Sequence, residues 1–245
     1  MRRFPFIVGL ATVSVACLSI AAAADSGFNS VSPKVYDPFQ TELVNSSWIS
    51  GIGCPSGATT AIYGAQGITP STYTDTACAV GDPRDTSNEG LLMAKTGPTA
   101  NDAAAVAVLD GVQGTVVTEL GYDIRKQGPT TADPRGSHCG AGAPRFDVTL
   151  ENGLFFFIGC ESPPATTQFS SGQGWTRLRW GGSAGPLQGY LNGVLTTLPV
   201  GIAVKSISIV FDEGQDAGPD NFGLAVLDNI DVNGQLVGRG GRASN

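Results

Sequence analysis

The chain has 245 residues, of which 41% are hydrophobic and 14% are charged, and this composition excludes a wholly disordered protein. Its 34 glycines and 15 prolines make up a fifth of the residues, which is high for a helical protein. The formal net charge is −7, and the absence of a basic cluster argues against nucleic acid as a partner.

The N-terminus has the three parts of a secretory signal peptide. Arg2 and Arg3 form a positive start, an apolar run follows from Phe4 to Ile20, and four alanines end at Ala24. We expect cleavage after Ala24, which removes residues 1–24 and leaves a secreted or periplasmic protein with no membrane span. A transmembrane anchor is the alternative, but the apolar run is at the short end of the roughly 20 residues that a span needs.

Four cysteines remain in the predicted mature chain, and an even number in an exported protein indicates two disulfides. Of the three connectivities, we favour Cys54–Cys78 and Cys139–Cys160, because each pair lies in its own neighbourhood of the sequence. A zinc site is disfavoured because the chain has one histidine and no C-x-x-C motif.

Short apolar runs separated by Gly, Pro, Asn and Ser follow the signal peptide, and no long amphipathic helix is evident. This pattern predicts an all-β protein, and we expect an antiparallel β-sandwich of jelly-roll type, stabilised by disulfides. We expect one domain over residues 25–235, irregular in its N-terminal part, and a flexible tail over 236–245. The predicted strands are Glu42–Ile49, Thr59–Tyr63, Leu91–Lys95, Ala104–Leu109, Thr115–Arg125, Arg145–Glu151, Leu154–Cys160, Trp175–Trp180, Val204–Asp212 and Phe222–Val232.

Asn152-Gly153 predicts a β-hairpin between two of these strands. Both residues tolerate positive φ, as a two-residue type I′ turn requires. That turn would place Leu150 opposite Phe155 and Val148 opposite Phe157, as an apolar patch on one face. It would also bring Cys160 opposite Arg145, within reach of Cys139.

The segment Leu227-Asp228-Asn229-Ile230-Asp231-Val232 resembles the closing strand of jelly-roll modules in bacterial exported proteins, among them carbohydrate-binding modules. The whole chain also resembles a group of uncharacterised bacterial secreted proteins, through the segments 119–125 (ELGYDIR) and 139–146 (CGAGAPRF). The first resemblance implies a structural calcium ion held in part by Asp228.

An acidic, glycine-containing loop precedes that strand. Its carboxylates recur at Asp212, Asp216 and Asp220. Calcium takes six to eight oxygen ligands, so such a loop together with Asp228 is a candidate calcium site. The alternative is an acidic turn that is simply solvated.

The segment 175–180 (WTRLRW) places Trp175, Arg177 and Arg179 on one face of a strand. An indole flanked by guanidinium groups can stack on a sugar ring and hydrogen-bond its hydroxyls, with Tyr190 as a further contributor. In the alternative, Trp175 packs under a loop and the two arginines neutralise nearby carboxylates.

Catalysis has weaker support. The single His138 stands next to a cysteine, and there is no G-x-S-x-G motif. Glu119 and Asp123 are the candidate acid pair of a hydrolase, with a surface charge ladder as the alternative. We therefore expect a secreted, non-catalytic protein that binds an extracellular glycan or cell-surface component. A structural or adhesive envelope protein that binds another protein, and a carbohydrate-active hydrolase, are the alternatives.

Overall fold

The computed structural model describes residues 27–54, 56–64, 67–74, 78, 80–96, 102–126, 144–159, 162, 165–170, 175–212 and 222–240. Within these ranges the secondary structure is almost entirely β. The strands are β1 (Ser30–Tyr36), β2 (Val44–Ser50), β3 (Ser56–Gly64), β4 (Gly67–Thr74), β5 (Glu89–Thr96), β6 (Ala104–Asp110), β7 (Glu119–Lys126), β8 (Arg145–Leu150), β9 (Phe155–Ile158), β10 (Ala165–Ser170), β11 (Trp175–Gly181), β12 (Gln188–Leu191), β13 (Val194–Thr197), β14 (Val204–Phe211), β15 (Phe222–Val232) and β16 (Gln235–Val237).

Two antiparallel sheets form the sandwich. Sheet A has the order β1-β6-β14-β8-β9-β12-β13, and sheet B has the order β10-β11-β7-β15-β5-β2, with β16 added beside β15. Strands β3 and β4 pair with each other as a separate two-stranded sheet. The predicted all-β sandwich of jelly-roll type is confirmed.

The core lies between the inner faces of the two sheets, where strands such as β6, β8 and β14 turn alternate apolar residues inward. Tyr122, Phe146 and Trp180 form an aromatic cluster at its centre, with ring centroids 5.1–5.9 Å apart. The Tyr122 hydroxyl donates a hydrogen bond to the Pro144 carbonyl at 2.7 Å, so this buried polar group is satisfied. The alternation of residues 119–125 predicts that Leu120, Tyr122 and Ile124 form the apolar face of their strand, and all three are fully buried.

The predicted register of the β8–β9 hairpin is wrong by one residue. Thr149 lies opposite Phe155 and Asp147 lies opposite Phe157. The loop has three residues, not two: Leu150 N–H donates to the Leu154 carbonyl at 2.9 Å. A three-residue loop with glycine in the left-handed region at its third position is a common hairpin connection, and Gly153 has φ 84°.

This shift moves the aromatic side chains of β9 to the other face, because side chains alternate along a strand. Phe156 and Ile158 point into the core and are fully buried. Phe155 and Phe157 point outward and are 39% and 38% exposed.

The C-terminal segment differs from the expected flexible tail over the part that is described. Leu236 pairs with Asp231 in the β15–β16 ladder, and Val237 is buried in the core. Gly238 N–H donates to the carboxylate of Asp82 at 3.2 Å. Residues 236–240 are therefore attached to sheet B, while 241–245 and the predicted signal peptide, 1–24, lie outside the described residues. The described residues contain no helix of the length and hydropathy that crossing a membrane requires.

Candidate ligand-binding face

The outer face of sheet B, where the sequence places Trp175, is covered by the segment that carries the disulfide. The predicted Cys54–Cys78 bond is confirmed, and both cysteines are buried. They pack with Trp175 and Val226 in a small hydrophobic cluster beneath the covering segment. Trp175 is 1% exposed, so its ring presents no face on which a sugar could stack. The second predicted pair, Cys139 and Cys160, lies outside the described residues.

The two arginines beside Trp175 are held by buried carboxylates. Arg177 Nε and Nη2 donate to the two carboxylate oxygens of Asp123 at 2.7 and 2.8 Å, and Arg177 also contacts the Val80 carbonyl of the covering segment. Arg179 Nε lies 2.8 Å from Asp231 Oδ2. Both guanidinium groups therefore have internal partners in this structure.

Tyr190 lies on a different sheet from the other three residues of the predicted sugar platform. It belongs to β12 of sheet A, whereas Trp175, Arg177 and Arg179 belong to β11 of sheet B. The four residues are not brought together, because a strand pattern predicts which side chains share a face but not which strands share a sheet.

The proposed acid pair of a hydrolase has no common cleft. Asp123 is fully buried and bound bidentately by Arg177. Burial and the neighbouring charge of Asp231 raise the pKa of Glu119. His138 lies outside the described residues.

The predicted calcium ligands do not form one set among the residues that are described. Asp212, which follows β14, accepts two hydrogen bonds of 2.6 Å from Arg145, and its carbonyl accepts one from Lys95. Asp228 lies on β15 next to Leu227, whose partner on β5 is Leu91. Leu91 is four residues from Lys95 along β5, a distance of about 14 Å.

The Asp228 carboxylate accepts backbone N–H groups of Cys54 and Asn229, both at 2.6 Å, and burial raises its pKa well above the ordinary value. Asp212 and Asp228 therefore do not fit a shared calcium ion. Asp216 and Asp220 lie outside the described residues, and their part of the calcium hypothesis stays a prediction. A cluster of metal-ligand type in the described chain, formed by Cys54, Cys78 and Asp123, offers no thiolate because its cysteines are disulfide-bonded.

The outer face of sheet A, hereafter the open face, carries a row of side chains in register across all seven strands. Each residue of the row is the direct partner of the next: Ser32, Val108, Ser208, Asp147, Phe157, Tyr190 and Leu195. Since paired residues point to the same side of a sheet, the row forms one continuous strip. The strip combines hydroxyl groups, a carboxylate and aromatic rings.

Aromatic rings occupy the part of the strip formed by β9 and β12. Phe155 and Phe157 meet edge to face, with centroids 4.9 Å apart and planes at 87°. Tyr190 is the register partner of Phe157 and is half-buried. These rings offer partly exposed apolar surface next to the polar centre of the sheet.

Arg145 is the centre of the polar part of the open face. Besides its two hydrogen bonds to Asp212, its Nε lies 3.2 Å from Asp147 Oδ1, and its guanidinium lies 5.1 Å from the Phe157 ring centroid. Although burial opposes ionisation of Asp212, the hydrogen bonds and charge of Arg145 hold its pKa below the ordinary value.

Asp147 has the opposite shift. Burial raises its pKa to about 6, Arg145 opposes this rise, and the charge of Asp212 adds to it. Asp147 Oδ1 is buried without a hydrogen bond of good geometry. The Asp147 carboxyl group, paired with Arg145, therefore lies beside an aromatic ring on the open face.

A groove with a volume of about 910 Å³ forms the other end of the open face. Among its lining residues are Lys34, Tyr36, Phe39, Ser208, Val210 and Asp212. Tyr36 and Phe39 are 57% and 69% exposed. The groove is continuous with the strip through Ser208 and with the polar centre through Asp212.

The sequence reasoning missed most of the open face. The alternation in Arg145-Phe146-Asp147-Val148 marks Arg145 and Asp147 as outward residues. A three-residue loop in the β8–β9 hairpin would place Phe155 and Phe157 on that side too.

No protein-family model and no curated protein matches the chain. Two solved structures of family 11 carbohydrate-binding modules from Clostridium thermocellum are similar to it. The module of the cellulosomal cellulase Lic26A-Cel5E is 12% identical with a TM-score of 0.38, covering 87% of this chain and 91% of that chain. The other, in complex with a β-1,3-1,4-mixed-linked tetrasaccharide, is 15% identical with a TM-score of 0.33, covering 85% of this chain and 99% of that chain.

Proposed function

We propose that this protein is an exported, non-catalytic binding protein and that its open face binds an extracellular polysaccharide. The observation that carries the proposal is the strip from Ser32 to Leu195, in which partly exposed rings and hydroxyl groups stand beside Asp147, with Arg145 next to the strip. Aromatic rings pack against the apolar faces of sugars, while carboxylate and guanidinium groups hydrogen-bond their hydroxyls. The open face supplies both kinds of contact side by side.

The dimensions of the open face suit an extended chain. Seven strands at roughly 4.8 Å spacing make the strip about 29 Å long. The groove at Tyr36 and Phe39 lengthens the same surface at one end. A polymer lying across the strands would contact the groove, the Arg145 centre and the Phe157 rings in turn.

Export is part of the proposal. The signal-like segment that ends at Ala24 and the Cys54–Cys78 disulfide both suit an oxidising compartment outside the cytoplasm. The protein would there meet the insoluble polysaccharides of a cell surface or of its surroundings.

Retention of the purified protein on a panel of insoluble polysaccharides tests the binding function. We expect retention on at least one polymer and a loss of about tenfold in affinity for Phe157→Ala, since a well-placed aromatic contact contributes about 1–3 kcal/mol. Val80→Ala is the matched control, because Val80 is 62% exposed and its segment covers sheet B, not the open face.

Failure of every polymer to retain the protein would contradict the proposal and favour a protein partner in the envelope. Equal losses of affinity in Phe157→Ala and Val80→Ala would show that the polysaccharide does not bind at the open face.

A further inference from the structure

The chain crosses from sheet B to sheet A through a corner that follows β11, and Glu119 lies against this corner. Gly181, the last residue of β11, pairs with Glu119, and Gly182 N–H donates to the Thr118 carbonyl at 3.0 Å. A Cβ added at Gly182 would collide with Glu119 Oε2. The Glu119 carboxyl group is therefore packed directly against the backbone of the corner.

Asp231 of β15 is the partner of this carboxyl group. Asp231 and Arg179 flank Gly121 of β7 from either side, and Glu119 lies two residues along β7 on the same face. Two carboxyl groups placed side by side can hydrogen-bond to each other only while one of them holds a proton. Asp231 is 3% exposed and forms its ion pair with Arg179. The guanidinium groups of Arg177 and Arg179 thus face the carboxyl groups of Asp123, Asp231 and Glu119, and the charges balance when a single proton is retained.

The other guanidinium group near the pair is already bound by another carboxylate. Arg177, the next arginine of β11, donates two hydrogen bonds to Asp123 of β7. Arg179 Nη1 also lies 3.7 Å from Asp123 Oδ1, so Asp123 draws on both arginines. Among the described residues of β7, β11 and β15, the balance of charge around Glu119 therefore favours retention of the proton.

We propose that Glu119 and Asp231 form a proton-sharing pair that makes the β11–β12 corner sensitive to pH. The Glu119 side chain packs against Gly182 in mildly acidic solution and leaves it as the pH rises. Loss of the proton leaves three negative charges beside two guanidinium groups. Glu119 is the half-buried member of the pair, so it can turn towards water and leave Gly182. This device is separate from the binding function, and its test does not depend on any ligand.

The direction of the effect follows from the raised pKa values. Burial, together with the charge of Asp231, raises the pKa of Glu119. Burial also raises the pKa of Asp231, against the opposing effect of Arg179. The folded state therefore binds more protons than the unfolded state above the ordinary carboxyl range. Stability from this pair is complete at low pH and is lost as the pH rises through the folded pKa.

The experiment compares urea unfolding of the disulfide-intact protein between pH 4.5 and pH 8 for the wild type, Glu119→Gln and Glu151→Gln. Glutamine keeps a hydrogen-bond donor for Asp231 at every pH. Glu151 lies exposed in the β8–β9 loop, so its glutamine variant is the matched control. Other titrating groups are common to all three proteins and cancel in the comparison.

We expect the equilibrium constant for unfolding to rise with pH in the wild type and the control relative to Glu119→Gln, by at most about tenfold per pH unit. A carbon-13 NMR titration of the native wild type gives a second reading that needs no variant. An upward-shifted Glu119 titration, with faster exchange of the Gly182 amide than in Glu119→Gln at high pH, would support the device. An ordinary Glu119 titration, or parallel pH profiles for all three proteins, would overturn it.

Discussion

Asp147 lies directly opposite Phe157 in the β8–β9 pair, and both side chains are on the open face. A buried carboxylate oxygen without a good hydrogen bond and a half-exposed ring thereby become neighbours. The same ring lies under the guanidinium of Arg145, which bridges Asp147 and Asp212. This pairing is the most distinctive chemical feature of the proposed binding face.

The pH dependence of binding reports on Asp147. Its pKa of about 6 means that it becomes a carboxylate, the better acceptor for sugar hydroxyls, as the pH rises from 5 to 7. We expect affinity for the retained neutral polysaccharide to rise about tenfold over that range, because a hydrogen bond to a charged group contributes about 1.5–3 kcal/mol. Asp147→Asn should show a flat profile in depletion assays. A profile in Asp147→Asn that matches the wild type would rule out this role.

Trp175 is predicted to act on stability and not on binding. Trp175→Ala removes a large side chain from the cluster beneath the disulfide, and such truncations cost about 3–5 kcal/mol. Urea unfolding should show this loss, while the folded variant at low temperature keeps its affinity for polysaccharide. A folded Trp175→Ala protein that no longer binds polysaccharide would indicate that the binding site is on sheet B.

Breaking the Arg177–Asp123 pair leaves a buried charge without its partner. We expect Asp123→Asn to lower the free energy of unfolding by about 3–5 kcal/mol, as for other buried ion pairs that lose one member. The double variant Asp123→Leu with Arg177→Met should recover much of this loss, because neither charge remains. Additive losses in the double variant would show that the two side chains act independently.

The Cys54–Cys78 bond closes a segment whose ends are 24 residues apart in sequence. A loop of that size predicts a loss of about 3–4 kcal/mol on replacing both cysteines with serine, measured by urea unfolding under non-reducing conditions. Mass spectrometry of a non-reduced digest should join the peptides of Cys54 and Cys78, and separately those of Cys139 and Cys160. A peptide that joins Cys54 to Cys139 or Cys160 would contradict the sequential pairing.

Local patterns in the sequence predicted the all-β class, because strand alternation and turn residues depend only on residues that are close in the sequence. Alternation in 119–125 places Leu120, Tyr122 and Ile124 together on one face of the strand, which is the core face. Alternation in 175–180 places Leu178 and Trp180 on the face opposite Trp175, as the structure does. The position of the hairpin at Asn152-Gly153 was predicted correctly, but the register of its two strands depended on one extra loop residue. That residue decides whether Phe155 and Phe157 face the core or the open face.

The sequence by itself predicted the all-β class, the side chains that share a face in strands such as β7 and β11, and the Cys54–Cys78 pairing as the favoured one of three connectivities. Tertiary structure alone decided which outer face is covered. The covering segment reaches sheet B through contacts such as Cys54 N–H with Asp228, 174 residues apart, and it buries Trp175 and Arg177. Alternation is a property of single strands, whereas a binding face is assembled from strands far apart in the chain. The strip from Ser32 to Leu195 therefore emerged only once the order and register of seven strands were in place.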